Sequence, residues 1–438
     1  MKRVFTIAAA VLGIAAANTF AAHRGDEANY LLSADAGQAI IDEVFRAGSW
    51  SGEFGLAFRY EDPEADEDGH AGWGFFEFDW ESGAWHGLQL GVGGIAILEA
   101  WDEGSLDGIL DEDGAFKDSA AWTDLYIKYA VPKTKTEILI GRTKFKKPAS
   151  GDGDVHQGIQ LTIKDIPNVT IYASAVCEWM DDASTGWDLD GIQDDWVEMD
   201  DVNTGDYGMG EAGNVAYTLM AKIKAVPDLL TLTPYVQYQE DVATSLGIEF
   251  EAEVALNETV SLGLDGIYAH HMEDTPDDMY PDDEDVSQYL LHAYAKVQNL
   301  KVGFGCYHIS DDIALYNGLG EPDPGDDFES VYIMDEFDPM EEDLAKYGEA
   351  PNNDTYFVDA SYSWRFLELA VVYGWVDNAW IKKTGADDGK AQELDVVLNI
   401  AITKNLEAEL AYVNLDDDYS GDGDDSVDVV AGAITFSF

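Results

Sequence analysis

Basic residues are scarce in this 438-residue chain, in which 24 Lys and Arg stand against 87 Asp and Glu, for a formal net charge of −63. Proteins that bind nucleic acid neutralise phosphates with clustered Lys and Arg, so this composition excludes a nucleic-acid partner. Cysteine is also scarce, and Cys177 and Cys306 lie in different strand-like segments. Two cysteines cannot form the disulfide framework of a small secreted domain. We expect two free thiols, with a single bridge as the alternative.

Long apolar runs and catalytic motifs are absent as well. Beyond the N-terminus, no run approaches the ~20 apolar residues that a membrane-spanning helix needs. The sequence contains no H-E-x-x-H, G-x-S-x-G, Walker A or C-x-x-C motif, and we expect no enzyme. Disorder is excluded too, because disordered chains are poor in aromatic residues, whereas this chain has 12 Trp, 22 Tyr and 18 Phe.

The N-terminus has the pattern of a secretory signal peptide. Lys2 and Arg3 precede an apolar stretch over residues 4–17, and Thr19-Phe20-Ala21 places small residues where a signal peptidase requires them. This order of a basic, an apolar and a small-residue region predicts a cleaved signal peptide over residues 1–21 and an exported protein. Removal of the two basic residues leaves 22 against 87 acidic ones, a net charge of about −65.

Alternation of apolar and polar residues dominates the rest of the chain. Phe54, Leu56 and Phe58, for example, alternate with Gly55 and Ala57. A period of two indicates half-buried β-strands rather than helices. Eighteen segments between residues 49 and 438 show it, and most are about 10 residues long, the length with which a tilted strand crosses a bilayer.

The connections between these segments alternate between short and long. Short ones are rich in Pro, Asn and Asp, as tight turns require, and the long ones include residues 178–213 and 310–354. One connection, near Asp241, is shorter than the pattern predicts. Short turns on one side and long loops on the other predict an all-β, antiparallel up-and-down transmembrane β-barrel of 18 strands, with 16 as the alternative. We assign residues 22–48 to a periplasmic N-terminal segment and 49–438 to the barrel.

The last strand ends on an aromatic residue. Phe436 and Phe438 share one face of it, and the chain stops at Phe438. A terminal aromatic on an alternating strand resembles the signal by which Gram-negative outer-membrane barrels are recognised for assembly. We therefore expect the outer membrane of a Gram-negative bacterium as the location, with outer-membrane lipid and the barrel-assembly machinery as partners. A soluble β-sandwich that ends in Phe is the alternative.

Acidic residues concentrate in the predicted outer loops. Six of these loops, residues 61–71, 99–118, 178–213, 272–286, 310–354 and 416–428, hold 56 of the 87 acids. Clustered negative charge raises the local cation concentration and excludes anions within a Debye length of ~8 Å. The charge therefore predicts that cations approach this end of the barrel more readily than anions.

A further set of charged residues occupies the polar face of the strands. Lipid-facing positions must be apolar, so the opposite face lines the lumen, which makes a water-filled channel more plausible than a packed core. In the alternative to a selective channel, these acids only hydrate the interior of the barrel. The predicted pore-lining residues are Glu53, Arg59, Glu77, Asp79, Lys128, Lys222, Lys224, Glu249, Glu251, Glu253, Asp359, Arg365, Glu393, Asp395, Glu407 and Glu409, with Lys296 on the same face.

The acidic loops also suggest calcium. Asp418, Asp422 and Gly423 match the first half of an EF-hand loop, but position twelve is Val429 instead of a bidentate Glu. This pattern predicts no dedicated EF-hand. Loosely bound Ca²⁺ remains open, with Asp418 and Asp422 as its candidate ligands, and we expect no other cofactor.

Three stretches resemble the OprD-like porins and related major outer-membrane porins. They are residues 41–54, residues 72–91, and residues 140–170 with Ile140-Gly141-Arg142-Thr143-Lys144 and Ile166-Pro167-Asn168. The resemblance covers residues 40–178. It implies passive diffusion through an 18-stranded barrel whose third outer loop, here residues 145–154, folds inward to narrow the pore. The constriction candidates that it implies are Lys144, Lys146, Lys147, Asp152 and Asp154.

The sequence therefore predicts an outer-membrane porin through which small hydrophilic solutes and ions diffuse, with a preference for cations. Either a monomer or a homotrimer fits. The first alternative is a surface structural or adhesion protein, anchored by the barrel, whose acidic loops bind divalent cations. The second is an exported soluble β-protein adapted to high salt.

Overall fold

The computed structural model describes residues 45, 47–63, 69–103, 120–146, 148, 155–180, 197–198, 215–239, 243–273, 286–309, 353–381, 386–417 and 425–438. Within these residues there are 19 strands in one antiparallel sheet. The strands are β1 (Ser49–Pro63), β2 (Gly69–Glu81), β3 (Leu88–Glu103), β4 (Ala120–Ala130), β5 (Thr136–Thr143), β6 (Val155–Ile163), β7 (Val169–Met180), β8 (Val197–Glu198), β9 (Ala216–Val226), β10 (Leu230–Gln239), β11 (Ala243–Asn257), β12 (Val260–Glu273), β13 (Val286–Val297), β14 (Leu300–Ile309), β15 (Asn353–Trp364), β16 (Leu367–Ile381), β17 (Ala386–Thr403), β18 (Leu406–Asp417) and β19 (Asp425–Ser437).

Eighteen of these strands close into a barrel. Each pairs with its neighbour in the chain, and β19 pairs with β1, so that the wall has no free edge. The exception is β8, a two-residue strand on the outer end of β7, because β7 continues the wall by pairing directly with β9. The 18-stranded up-and-down barrel is therefore confirmed, and the 16-stranded alternative is wrong. The part of the chain described here contains no helix long and apolar enough to span a membrane.

The wall has an apolar outer face and a polar inner face. On β1, Phe54, Leu56 and Phe58 are exposed on the outside, whereas Ala57 and Arg59 are buried on the inside. Residues that pair across neighbouring strands share a face, so the register extends this assignment around the barrel. Apolar side chains exposed on the outside form the surface that a bilayer covers.

Eight short turns join the strands at one end of the barrel, the end that the loop lengths predict to face the periplasm. They are residues 82–87, 131–135, 164–168, 227–229, 258–259, 298–299, 365–366 and 404–405. Asn168 and Asp228 adopt positive φ of 61° and 60° in their turns, a conformation that Asn and Asp tolerate better than most residues. Between β10 and β11 only three residues remain at the outer end, which confirms the short connection near Asp241.

The seam of the barrel lies where the first and last strands meet. Phe54 and Phe436 pack together on the outer face with ring centroids 5.3 Å apart. The Phe438 N–H donates to the Gly52 carbonyl over 2.9 Å, so the last residue of the chain extends the ladder. The predicted assembly-signal aromatics therefore lie on the lipid side of the closing strand pair.

The predicted signal peptide, residues 1–21, and nearly all of residues 22–48 lie outside the described residues, and β1 begins at Ser49. Most of the six acidic loops also lie outside them. The strand boundaries differ most from the sequence prediction at β16 and β17, for which the alternation predicts residues 366–376 and 392–404. In the structure β16 continues to Ile381, and β17 begins already at Ala386. The reason is that the pairing of these two strands continues through two register shifts, which the alternation of apolar residues does not reveal.

Candidate functional site

The candidate site is the inner face of the barrel. It carries fifteen of the sixteen predicted pore-lining residues, as the register and the burial pattern show. Lys296 lies on this face too. The fifteen are Glu53, Arg59, Glu77, Asp79, Lys128, Lys222, Lys224, Glu249, Glu251, Glu253, Asp359, Glu393, Asp395, Glu407 and Glu409.

Arg365 is the exception. It lies in the turn between β15 and β16 with a positive φ of 59°. Its guanidinium lies 5.0 Å from the centroid of the Trp364 ring, and Trp364 is an exposed residue on the outer face. The sequence prediction extended the strand one residue too far and therefore placed Arg365 in the lumen. The turn instead directs its side chain to the exposed Trp364 on the outer face.

One side of the inner face is dominated by carboxylates, and we call it the acidic wall. It is formed by β17, β18, β19, β1, β2, β3 and β4, which are consecutive around the barrel. Its basic residues include Arg59, which is buried in β1, and Lys128 on β4. The described carboxylates of the acidic wall are Glu53, Glu77, Asp79, Glu81, Asp124, Glu393, Asp395, Glu407 and Glu409.

Acidic side chains of neighbouring strands adjoin each other on the acidic wall. Glu53 on β1 lies directly opposite Glu77 on β2, an arrangement that is unfavourable in an antiparallel pair. The carboxyl groups of Asp79 and Asp124 meet over Gly93 of the strand between them, where the glycine has no side chain to separate them. The wall therefore brings acidic side chains of neighbouring strands close together.

The periplasmic end of this side carries a neutralised carboxylate. Glu81 on β2 is paired with Lys128 on β4, and it also accepts hydrogen bonds from the Tyr126 hydroxyl over 2.9 Å and the Gln89 amide over 2.8 Å. The pair joins strands that are not adjacent, across β3. Charge-assisted bonds of this kind are stronger than bonds between neutral groups.

The opposite side of the inner face, from β9 to β15, carries charges in pairs, and we call it the paired wall. Its ion pairs are Lys222–Glu251, with 3.2 Å between Nζ and Oε1, and Lys296–Glu253, with 2.9 Å between Nζ and Oε2. Glu253 also accepts a hydrogen bond from Tyr294 over 3.1 Å. Tyr294 reaches Glu253 across Gly263, where a Cβ atom would collide with its ring.

A buried histidine completes the paired wall. His292 is 1% exposed, and its Nδ1 lies 3.1 Å from Asp265 on β12, while its Nε2 lies 2.8 Å from Asp359 on β15. The ring reaches β15 across Gly303 of β14. Lys301 stands 4.0 Å from the second oxygen of Asp359. Imidazole can donate from both nitrogens only as the cation, so this geometry suits a charged ring between two carboxylates.

The chain turns into the lumen after β5. Phe145 is buried against Val176 of β7 and Ala216 of β9, both inner-face residues, with Leu139 beside them. Lys144 and Lys146, the neighbours of Phe145, are exposed. The first residues of the predicted constriction loop thus lie against the inner wall. Lys147, Asp152 and Asp154, the other constriction candidates, lie outside the described residues.

Sequence reasoning missed several inner-face residues, namely Glu81, Asp124, Tyr126, Asp265, His292, Tyr294 and Lys301. The parity of the alternation could have found some of them. Asp124 and Tyr126 lie an even number of positions from Lys128, so they share its face of the strand. By the same rule His292 and Tyr294 share the face of Lys296, which was predicted to line the lumen. Asp418 and Asp422 lie outside the described residues, and within the described ranges no cluster of three His, Cys, Asp or Glu suits a metal ion.

Together, a closed 18-stranded wall, an apolar outer band and a charged inner face define a porin of the bacterial outer membrane. The family model of the Campylobacter major outer membrane protein matches residues 94–431, which is more than half of the chain. The chain belongs to that family. This confirms the resemblance found in residues 40–178 and the predicted location in the outer membrane of Gram-negative bacteria.

Solved porins of Pseudomonas aeruginosa share this fold. OpdQ is 14% identical, with coverage of 89% of this chain and 98% of that chain and a TM-score of 0.65. OprD is 13% identical, with coverage of 89% and 96% and a TM-score of 0.60. OpdK, solved with vanillate, is 14% identical, with coverage of 89% and 99% and a TM-score of 0.63. No curated protein sequence matches the chain. Porins are channels and not enzymes, and as a member of this class the protein is an outer-membrane channel for small solutes.

Proposed function

We propose that the protein lets small hydrophilic solutes diffuse passively and that it favours cations over anions. The observation that carries this proposal is the acidic wall, where eight carboxylates besides the Glu81–Lys128 pair face the lumen from five of its seven strands. Charges on low-dielectric walls focus their field into the aqueous path, where they raise the concentration of counter-ions. The acidic outer loops add negative charge at the entrance.

The paired wall contributes less to this field. Its carboxylates Glu251, Glu253 and Asp359 each have a lysine or histidine partner within 4.0 Å. A close pair of opposite charges acts as a dipole, whose field falls with distance faster than that of a single charge. The cation preference is therefore expected to depend mainly on the acidic wall.

Reversal potential in planar bilayers tests the proposal. The purified protein is inserted into a bilayer that separates two KCl solutions of different concentration. Its channel currents are expected to have a reversal potential with the sign of K⁺ selectivity. Cation selectivity should weaken at molar salt, because the Debye length falls to ~3 Å there. A reversal potential of Cl⁻-selective sign contradicts the cation preference. A folded protein that carries no current contradicts diffusion and favours an anchored surface protein instead.

Three further expectations belong to this proposal. The Phe436 and Phe438 side chains serve recognition by the barrel-assembly machinery, and Phe438→Ala is expected to lower the yield of folded protein in the membrane.

The acidic loops bind Ca²⁺ loosely, with Asp418 and Asp422 among the ligands, which calorimetric titration of the folded protein with CaCl₂ measures. Light scattering in detergent distinguishes a monomer from a homotrimer.

A further inference from the structure

After β5 the chain folds back along the inner wall of the barrel. The ladder between β5 and β6 ends where Thr143 faces His156. Deeper in the wall, Leu139 faces Gln160. Lys146 follows shortly after Thr143 in the chain, yet its backbone is hydrogen-bonded to the Gln160 side chain. The chain therefore reverses its direction at the end of β5 and runs down the inner face of β6.

One buried amide holds this folded-back chain. Gln160 of β6 is 7% exposed, and its Nε2 donates to the Lys146 carbonyl over 2.9 Å. Its Oε1 accepts a longer hydrogen bond, of 3.4 Å, from the Lys146 N–H. Backbone groups that have left a β-ladder need partners of this kind when they are buried. A single side chain supplies both of them here.

An aromatic ring beside this amide is the second anchor. Phe145 is 6% exposed and packs on Val176 of β7 and Ala216 of β9. Its ring stacks on His156 of β6, with centroids 5.9 Å apart and planes 16° apart. One polar and one apolar anchor thus hold two consecutive residues of the segment against three strands of the wall.

The wall between the two anchors has a level without side chains. Gly158 lies midway between His156 and Gln160 on β6, so it shares their face of the strand. It pairs with Gly141 of β5, and neither strand has a side chain at this level. Glycine permits a close approach of backbone to backbone. The segment can therefore lie close to the wall between its anchors, which leaves the rest of the lumen open.

We propose that Gln160 is a positioning residue that latches the segment after β5 to the inner wall and so keeps the aqueous path beside it open. The inference rests on the proposed function, because it concerns the diffusion path of the same channel. The segment joins β5 to β6, so when it is released it remains next to the path and enters it from time to time. Few contacts hold the segment, and such regions open locally at a small cost in free energy.

Single-channel recordings in KCl test this role. The unchanged protein is expected to show a steady open current. Gln160→Leu makes neither hydrogen bond to Lys146, and it is expected to show brief partial closures that raise the variance of the open-channel current about threefold, since attached and released states then exchange. Phe145→Ala, which removes the other anchor, should do the same. The double variant should show about the same variance as either single variant, because both substitutions release one segment.

The matched control is Gln288→Leu, which removes a buried inner-face glutamine on β13, away from the segment. Its current should stay as steady as that of the unchanged protein. The shift in gel mobility on boiling shows which variants are folded, and Phe145→Ala carries the same test if Gln160→Leu does not fold.

A steady current in the folded latch variants, at whatever conductance, would overturn the positioning role. Partial closures of equal extent in the unchanged protein or in Gln288→Leu would overturn it too, as would additive increases of variance in the double variant. An unchanged protein that carries no current contradicts the proposed function itself.

Discussion

The two sides of the lumen use charge differently. On the paired wall, Lys296 meets Glu253 and His292 meets two carboxylates, so that charges tie strands together across a glycine. On the acidic wall, Glu53 faces Glu77 and Asp79 meets Asp124, so that acidic side chains are held together by the rest of the barrel. Under the proposed function, the same residue types stabilise the fold on one side and create a field for solutes on the other.

The largest expected effect concerns the stability of the paired wall. His292→Leu removes two charge-assisted hydrogen bonds and leaves Asp265 and Asp359 without their shared cation. We expect a loss of about 3 kcal/mol in the free energy of unfolding. It would appear as a lower midpoint temperature for the heat-induced shift in gel mobility. His308→Leu is the control, because the His308 ring packs against Tyr289 on the outer face, with ring centroids 5.0 Å apart. Equal losses for both histidines would contradict the proposed role of the paired charges.

The second effect concerns selectivity and the acidic wall. Glu407 and Glu409 lie on the inner face of β18. Their joint replacement by Gln is expected to lower the K⁺/Cl⁻ permeability ratio about threefold, because two negative charges leave the wall. The matched variant on the paired wall, Glu253→Gln with Lys296→Gln, removes two charges without changing the net charge. It should leave the ratio nearly constant, and a comparable drop in both variants would abolish the distinction between the walls.

A third and smaller effect on ion selectivity is expected when one carboxylate of the paired wall loses its lysine partner. Lys296→Gln leaves Glu253 with the Tyr294 hydroxyl but without its ammonium partner. The K⁺/Cl⁻ permeability ratio should rise about 1.5-fold, since Glu253 then presents a net negative charge to the lumen. Reversal potentials of the single variant and of the Glu253→Gln, Lys296→Gln double variant measure the difference. A ratio that falls in the single variant would show that Lys296 attracts cations indirectly, contrary to the pairing argument.

The smallest effect lies outside the membrane, in the turn between β6 and β7. The Asp165 carboxylate accepts hydrogen bonds from the Lys135 N–H and the Thr136 hydroxyl, each 2.8 Å long. These bonds hold the pKa of Asp165 below its ordinary value, with a smaller contribution from the charge of Lys135. The stabilisation is therefore present above the ordinary pKa of an aspartate and is lost as the pH falls through the lowered pKa.

Asp165→Ala should lower the heat-transition midpoint slightly at neutral pH, and the difference from the unchanged protein should disappear at a pH below the lowered pKa. Asp165→Asn keeps one acceptor oxygen and should fall between the two. A difference that persists unchanged in acid would show that the carboxylate charge does not matter at this turn.

The sequence predicted the barrel well because membrane geometry leaves few options. Alternation such as Phe54, Leu56 and Phe58 against Gly55 and Ala57 has one solution in a bilayer, since every backbone group must find a partner and one face must be apolar. Parity alone also assigned Glu253, Asp359 and Glu409 to the inner face. It failed for Arg365, where the strand ends at Trp364 and the turn reverses the direction of the side chain.

The sequence by itself determined the class of fold, the two faces of each strand and the excess of negative charge, because these depend on local alternation and composition. Only the tertiary structure decided which charges meet. His292 reaches Asp359, 67 positions away, because the register places Gly303 between them. The Gln160 amide meets both backbone groups of Lys146 because the chain returns against β6 after β5 ends. Such contacts follow from the closure and register of the barrel, which no single stretch of sequence contains.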